Sequence, residues 1–252
     1  MLDFVYYPVS AVLWVWHTGF AAVFGPASGL SWALAIVFLV VTLRLMLYRP
    51  FLAQVRFART MAELQPKARE LREKFAGDRE ALARGMRELQ REHKFNIFTG
   101  FLPIIGQLLI FLGLLHVLRS FDHTGGNYVF PAAQVRSFLQ ADVLGAPLSA
   151  TLAQSGGALV SVALLIIPLV LTSAIATHCT ARAAVARQTE VTPQIRLVNR
   201  MSMWLLPVAS LLAGLVMPVG ILIYFATTSA WTFLQQHYVH RRLEPVGAVP
   251  EL

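Results

Sequence analysis

The chain has 252 residues, 56% of them in the hydrophobic set and only 13% charged, a balance outside that of ordinary soluble domains. A formal net charge of +8 would suit nucleic acid if the Lys and Arg covered a soluble surface, but they cluster between long apolar runs and so mark membrane topology instead. A single cysteine, Cys179, excludes an internal disulfide and reads as a small packing residue, and no His/Cys grouping has the spacing of a metal site.

Residues 1–29 are apolar and carry Phe4, Tyr6, Tyr7, Trp14 and Trp16, rings that favour the headgroup zone, so they predict an interfacial helix lying flat. No Lys or Arg precedes Arg44, so the basic start of a secretory signal is missing and the segment is expected to be retained. The alternative, a sixth spanning helix ending near Phe24, gives the wrong parity against the charge count below.

Five apolar stretches of about membrane-spanning length follow, at residues 30–50, 98–120, 158–177, 201–217 and 218–237. The fold class is therefore all-α, a polytopic membrane protein with five transmembrane helices. Pro218 and Gly220 alone separate the last two, which predicts a tight antiparallel hairpin. At about 1.5 Å per residue, runs of ~16 residues reach only ~24 Å, which predicts a thinned bilayer there.

Orientation follows from the basic residues. The connection from Arg49 to Lys94 holds twelve of the 21 Lys and Arg, residues 178–200 hold four and the tail at 238–252 holds Arg241 and Arg242, whereas the loop at 121–157 holds only Arg136. Cytoplasmic loops are enriched in Lys and Arg, so the N-terminus is expected outside and the C-terminus in the cytoplasm. The external loop, 121–157, shows no site chemistry.

Within the cytoplasmic segment 51–97, Met61, Leu64, Ala68, Leu71 and Phe75 keep a 3,4 spacing, as do Leu82, Met86, Leu89 and His93. That is the a/d rhythm of two helices paired along one seam, with Gly77 and Asp78 turning the chain and Pro66 suited to the first turn of the first helix. The remaining faces are charged and solvated. A projection of this kind offers a surface for a ribosome, a targeting factor or an emerging nascent chain.

The stretch from Met61 to Leu118, with LQPK at Leu64–Lys67, EKF at Glu73–Phe75 and LPxxxQ at Leu102–Gln107, resembles the first cytoplasmic loop and second span of the YidC/Oxa/Alb insertases. The helix around Arg44 is similar to the family's first core helix, and Pro218–Gln236, with Pro-x-Gly, Leu222 and Tyr224, resembles its last. Where the family usually has a proline shortly after the glutamine, this chain has Leu108 to Phe111.

The resemblance implies a five-helix bundle around a hydrophilic groove open to cytoplasm and lipid, working on nascent membrane proteins without cofactor or covalent catalysis. It puts Arg44 and Gln107 in that groove, and Thr42, Thr228, Ser229 and Gln235 are the further candidate lining residues. Taken singly, Thr42 and Ser229 also have a plainer reading, a hydroxyl bonded to its own helix backbone. The Sec translocon is a candidate partner, and no direct nucleic-acid function is expected. The rival class, a small polytopic channel or transporter, normally carries intramembrane carboxylates, and none of the five apolar windows contains Asp or Glu. A membrane serine protease is not supported, because no Gly-x-Ser-x-Gly or Ser/Lys arrangement occurs.

Overall fold

The computed structural model describes residues 2–92, 97–121, 125, 127–186, 188 and 193–243. Among them, nine α-helices run in chain order: α1 Asp3–Phe24, α2 Gly29–Met46, α3 Tyr48–Lys74, α4 Arg79–Glu92, α5 Ile97–Arg119, α6 Ala132–Gln140, α7 Leu159–Ala186, α8 Pro193–Val216 and α9 Val219–Leu243. A two-residue hairpin of β1, Asp142–Val143, and β2, Ala146–Pro147, completes the regular structure. The all-α expectation holds. The chain divides into two compact units, residues 43–111 and the remainder, 1–42 with 112–252.

Among the described residues, four stretches are long and apolar enough to cross a membrane by length and composition: Asp3–Phe24, Gly29–Met46, Gly156–Ala186 and Ile195–Val216. Ile104–Arg119 adds a shorter apolar stretch. This differs from the expected five in counting α1 and in leaving out α9. The reason is compositional: α9 mixes its apolar residues with Thr227, Thr228, Ser229 and Gln235, which lower its hydropathy.

The helices also run past the apolar windows. α7 continues to Ala186 and α8 starts at Pro193, so most of the segment 178–200 read as a loop is helical. With 24 and 25 residues, α8 and α9 reach about 36 Å, their added turns being polar, with Arg196 and Arg200 in α8 and Arg241 and Arg242 in α9. Helical hydrogen bonding does not stop where the apolar run stops, because every N–H still needs a partner.

In the larger unit, α7 is the central element. It packs along both α8 and α9, whereas α8 and α9 separate after their turn at Met217–Pro218. The turn is as short as expected, but the two helices do not form a mutually packed hairpin. Gly214 explains half of this: a Cβ there would lie 2.6 Å from Val170 Cγ2, so the bare backbone of α8 accepts the α7 side chain.

The connection between α5 and α7 caps this unit. Trp32 at the start of α2 is fully buried among Phe121, Phe130 and Phe138, with centroids 5.1–6.1 Å away. Its Nε1 donates to Ser137 Oγ at 3.0 Å, and Ser137 Oγ donates to the Pro26 carbonyl at 2.9 Å. Ring contacts of this geometry add about 0.5–1.5 kcal/mol each beyond area burial. The Val219 and Gly220 amides, orphan donors in the first turn of α9, donate to the Ala150 and Leu148 carbonyls of the same cap.

α1 touches two helices at the same end of this unit. Tyr6 stacks on His116 at 4.1 Å, one turn from the end of α5, while His17 stacks on Trp32 at 3.7 Å, one turn from the start of α2. Val5 and Val9 fit against Gly113 of α5. Trp16 reaches further along α2, to Phe38 and Thr42.

The smaller unit contains the charged hairpin. The seam residues Met61, Leu64, Ala68, Leu71, Phe75, Leu82, Met86 and Leu89 are all covered to some degree, while the residues flanking them are mostly exposed. Gly85 joins the seam, since a Cβ there would lie 3.1 Å from Leu71 Cδ2. The turn sits where expected: Gly77 has φ +101, and Asp78 Oδ1 caps α4 by accepting the Glu80 and Ala81 amides at 3.1 and 3.0 Å. Pro66, however, lies inside an unbroken α3 rather than at a helix start. A proline there leaves one carbonyl without its intrahelical donor, which is tolerable on an exposed face where water supplies the bond. His93 lies outside the described residues.

Candidate functional site

In a membrane helix, a polar side chain must find a partner within the protein or face a wet surface. The candidate residues meet this requirement in different ways. Thr42, on α2 in the larger unit, donates its hydroxyl to the Phe38 carbonyl at 2.8 Å and accepts Trp16 Nε1 at 2.9 Å. Its hydroxyl therefore ties α1 to α2, as well as bonding its own helix as the plainer reading expected.

The polar stretch of α9 forms a ladder along one helix. Thr227 donates to the Ile223 carbonyl and Thr232 to the Thr228 carbonyl, both at 2.8 Å. Trp231 Nε1 donates to Gln235 Oε1 at 2.9 Å, and Gln235 is buried. Thr228 and Ser229 are half-buried between these pairs. Each hydroxyl that donates backwards keeps lone pairs for another donor, so α9 carries hydrogen-bonding capacity without charge.

Arg44 and Gln107 belong to the smaller unit. α2 ends at Met46, and Leu47, between α2 and α3, lies against Gly106 of α5, where a Cβ would stand 3.5 Å from Leu47 Cδ1. This contact falls beside Gln107 and within one helical turn of Arg44, so both are near one helix junction. Both are half-buried, and Arg44 Nε is covered by protein atoms rather than extended into solvent. α5 runs unbroken through Gln107, as the lack of a following proline predicts.

Two features escaped the sequence. Trp231 pairs with Gln235, and the four-residue spacing on one helix was the available signal. At the far end of α7, Gln188 Nε2 donates to Asn199 Oδ1 at 3.1 Å and the Asn199 amide donates back, while His178 Nδ1 sits 3.0 Å from the Met203 carbonyl. The His178 contact joins α7 to α8 across 25 positions, and the Gln188 pair ties the chain just past α7 to α8 across 11; local pattern carries no sign of either.

Among the described residues, no group of three or more His, Cys, Asp or Glu could hold a metal ion. The chemistry offered is one guanidinium, several neutral amides and hydroxyls, and apolar helix surface.

The sequence matches the family described as 60Kd inner membrane protein over residues 23–246. It is similar to the "Membrane protein insertase YidC" of Mycobacterium tuberculosis (strain ATCC 25618 / H37Rv), with 40% identity covering 96% of this chain and 74% of that protein. The protein of the same name in Mycobacterium leprae (strain TN) is 41% identical over 96% of this chain and 71% of its own length. That of Streptomyces avermitilis is 30% identical over 98% and 60%.

Proposed function

This chain belongs to the 60Kd inner membrane protein family, the YidC/Oxa insertases, and from that membership we propose that it inserts client proteins into a bacterial membrane. Short polar segments of a client pass through a hydrophilic groove, and the apolar helix that follows is released into lipid. Burial of that helix in hydrocarbon drives the step, aided for acidic segments by the membrane potential. The protein lowers the desolvation barrier and performs no covalent chemistry.

The observation that carries this reading beyond kinship is the character of the membrane helices. α2, α5, α7, α8 and α9 contain no Asp or Glu, yet α9 holds a run of hydroxyls and amides and α2 holds Arg44. A carboxylate-coupled transporter has little to work with here. A groove of neutral acceptors with one cation suits the transient passage of polar peptide, which must be bound weakly enough to leave. Arg44, Gln107, Thr42, Thr228, Ser229 and Gln235 are its proposed lining.

The proposed topology has the N-terminus outside and the C-terminus inside. α1 is the proposed interfacial helix, lying in the outer part of the membrane rather than crossing it: Tyr6 on His116 and His17 on Trp32 hold it to the same-side ends of α5 and α2, while Trp16 reaches along α2 to Thr42. The α3–α4 hairpin is the cytoplasmic surface presented to a ribosome, a targeting factor or a nascent chain, and the Sec translocon is a further proposed partner.

The test uses purified protein in liposomes and paired clients whose external segments are acidic or neutralised, scored by protease protection. Arg44→Ala should fail mainly on the acidic client, while Arg44→Lys, which keeps the charge but not the guanidinium geometry, should retain much of the activity. If Arg44→Ala inserts both clients as well as the parent protein does, the groove-charge mechanism is wrong and Arg44 is only an interfacial cation.

A further inference from the structure

The β1–β2 hairpin turns through Leu144 and Gly145, with φ of 54 and 77 degrees. A two-residue turn of this handedness needs positive φ at both central positions, which glycine, asparagine and aspartate accept and a branched apolar side chain resists. Leu144 is nonetheless there, and it is the most exposed large hydrophobic residue described, at 86%. Its side chain gains nothing from the fold that would offset the strained backbone. A strained residue at a tip, held by surroundings that over-determine it, points to a contact outside the chain.

The surroundings do hold it. Asp142 Oδ1 accepts the Gly145 amide at 3.0 Å, which fixes the turn and occupies the only charged side chain of the hairpin. The Asp142 carbonyl packs directly on the backbone of Gly29 at the start of α2, and Gly145 faces Ser161 of α7. The tip is therefore set at the level where two apolar helices begin. Leu30 of α2 and Leu159, Val160 and Leu164 of α7 are exposed at those same beginnings, and the apolar surface of α7 continues through Ile167 and Leu171. Apolar groups at the end of a membrane helix lie at the headgroup and acyl boundary.

We propose that Leu144 is a lipid anchor: the hairpin tip inserts its side chain into the leaflet at the α2 N-terminal end and fixes the depth of the cap over α2 and α7. The occupant is lipid because the patch around the tip is continuous with the membrane-facing surface of α7. Burying a leucine-sized side chain favours the apolar phase by roughly tenfold or more, enough for the tip to reside there most of the time. The contact requires only that α7 spans the bilayer, and it holds for either orientation of the termini.

The test is a depth measurement on the full chain carrying Cys179→Ser, in vesicles of phosphatidylcholine and phosphatidylglycerol. A nitroxide label is placed in turn at Leu144→Cys, at Glu88→Cys as an aqueous reference and at Leu171→Cys as a lipid reference. The ratio of collisions with oxygen to collisions with a water-soluble nickel chelate should place residue 144 clearly above residue 88 and below residue 171, which lies about 18 Å further along α7. A ratio equal to that of residue 88 overturns the proposal. Dipolar broadening between labels at 144 that persists on dilution of protein in lipid also overturns it, because a second copy would then cover the tip. Neither result bears on insertion of clients, so the anchor and the proposed function fail independently.

Discussion

Gly29 offers the sharpest stability test, because what opposes it is backbone. A Cβ on this residue would fall inside the carbonyl group of Asp142 and 3.0 Å from Val143 Cγ2. A side chain can rotate away from such a clash, but a strand already paired in a hairpin, its turn fixed by the Asp142–Gly145 hydrogen bond, cannot. Overpacking typically costs about 1–3 kcal/mol, and an obstacle made of main chain puts Gly29→Ala near the upper end, about 3 kcal/mol. For a chain of this size each kcal/mol moves the midpoint by roughly 2–4 °C, so a fall of about 6–12 °C is expected. Gly29→Val should fall further. The same change at Gly19, in the middle of α1 with nothing within 4 Å, is the control. Gly19→Ala should raise stability by about 0.5–1 kcal/mol, through the lower entropy of the unfolded chain. Thermal unfolding in detergent, with limited proteolysis of the cap between α5 and α7, measures both. If Gly29→Ala melts with the parent and the cap stays equally protected, the packing of β1 on α2 is not as tight as described.

In the charged α3–α4 hairpin, Leu71→Asp should impair insertion of a test client in cells far more than Glu73→Ala. Leu71 faces Gly85 in the seam, whereas the Arg69–Glu73 pair is exposed and contributes only about 0.3–0.5 kcal/mol, so equal and negligible effects would reduce the hairpin to a spacer. In a Cys179→Ser background, single cysteines at Gly85 and Gly126 should react with an impermeant maleimide from opposite sides of the membrane; reaction from one side overturns the proposed topology. Trp231→Phe removes the donor to Gln235 and leaves a buried amide oxygen short of a partner, for about 1–3 kcal/mol of stability, readable as a lower melting midpoint in detergent.

The charged hairpin was legible almost residue by residue, since its seam is a local repeat and its turn is announced by Gly77 and Asp78. Helix identity was likewise legible from apolar run length, though helix ends were not: α7 and α8 continue past their apolar windows because backbone hydrogen bonding is indifferent to hydropathy. The candidate lining was legible only as a set of residue types, with Arg44, Gln107 and the polar run of α9 conspicuous in apolar surroundings. What each of them bonds was not, as Thr42 with Trp16 and Gln235 with Trp231 illustrate.

Composition and the order of apolar runs determined by themselves that this is a helical membrane protein, because the cost of placing charge in hydrocarbon leaves few alternatives. They could not determine which helices meet. Between helices in a bilayer there is no hydrophobic drive to pair one apolar face with another, so partners are chosen by close fit: Val170 against Gly214, Val5 and Val9 against Gly113, and Trp32 among three phenylalanines. Those fits join residues up to about a hundred positions apart, and only the tertiary structure brings them together. The strain at Leu144 belongs to the same class, since a positive φ is set by the hairpin register and by the backbone contact at Gly29.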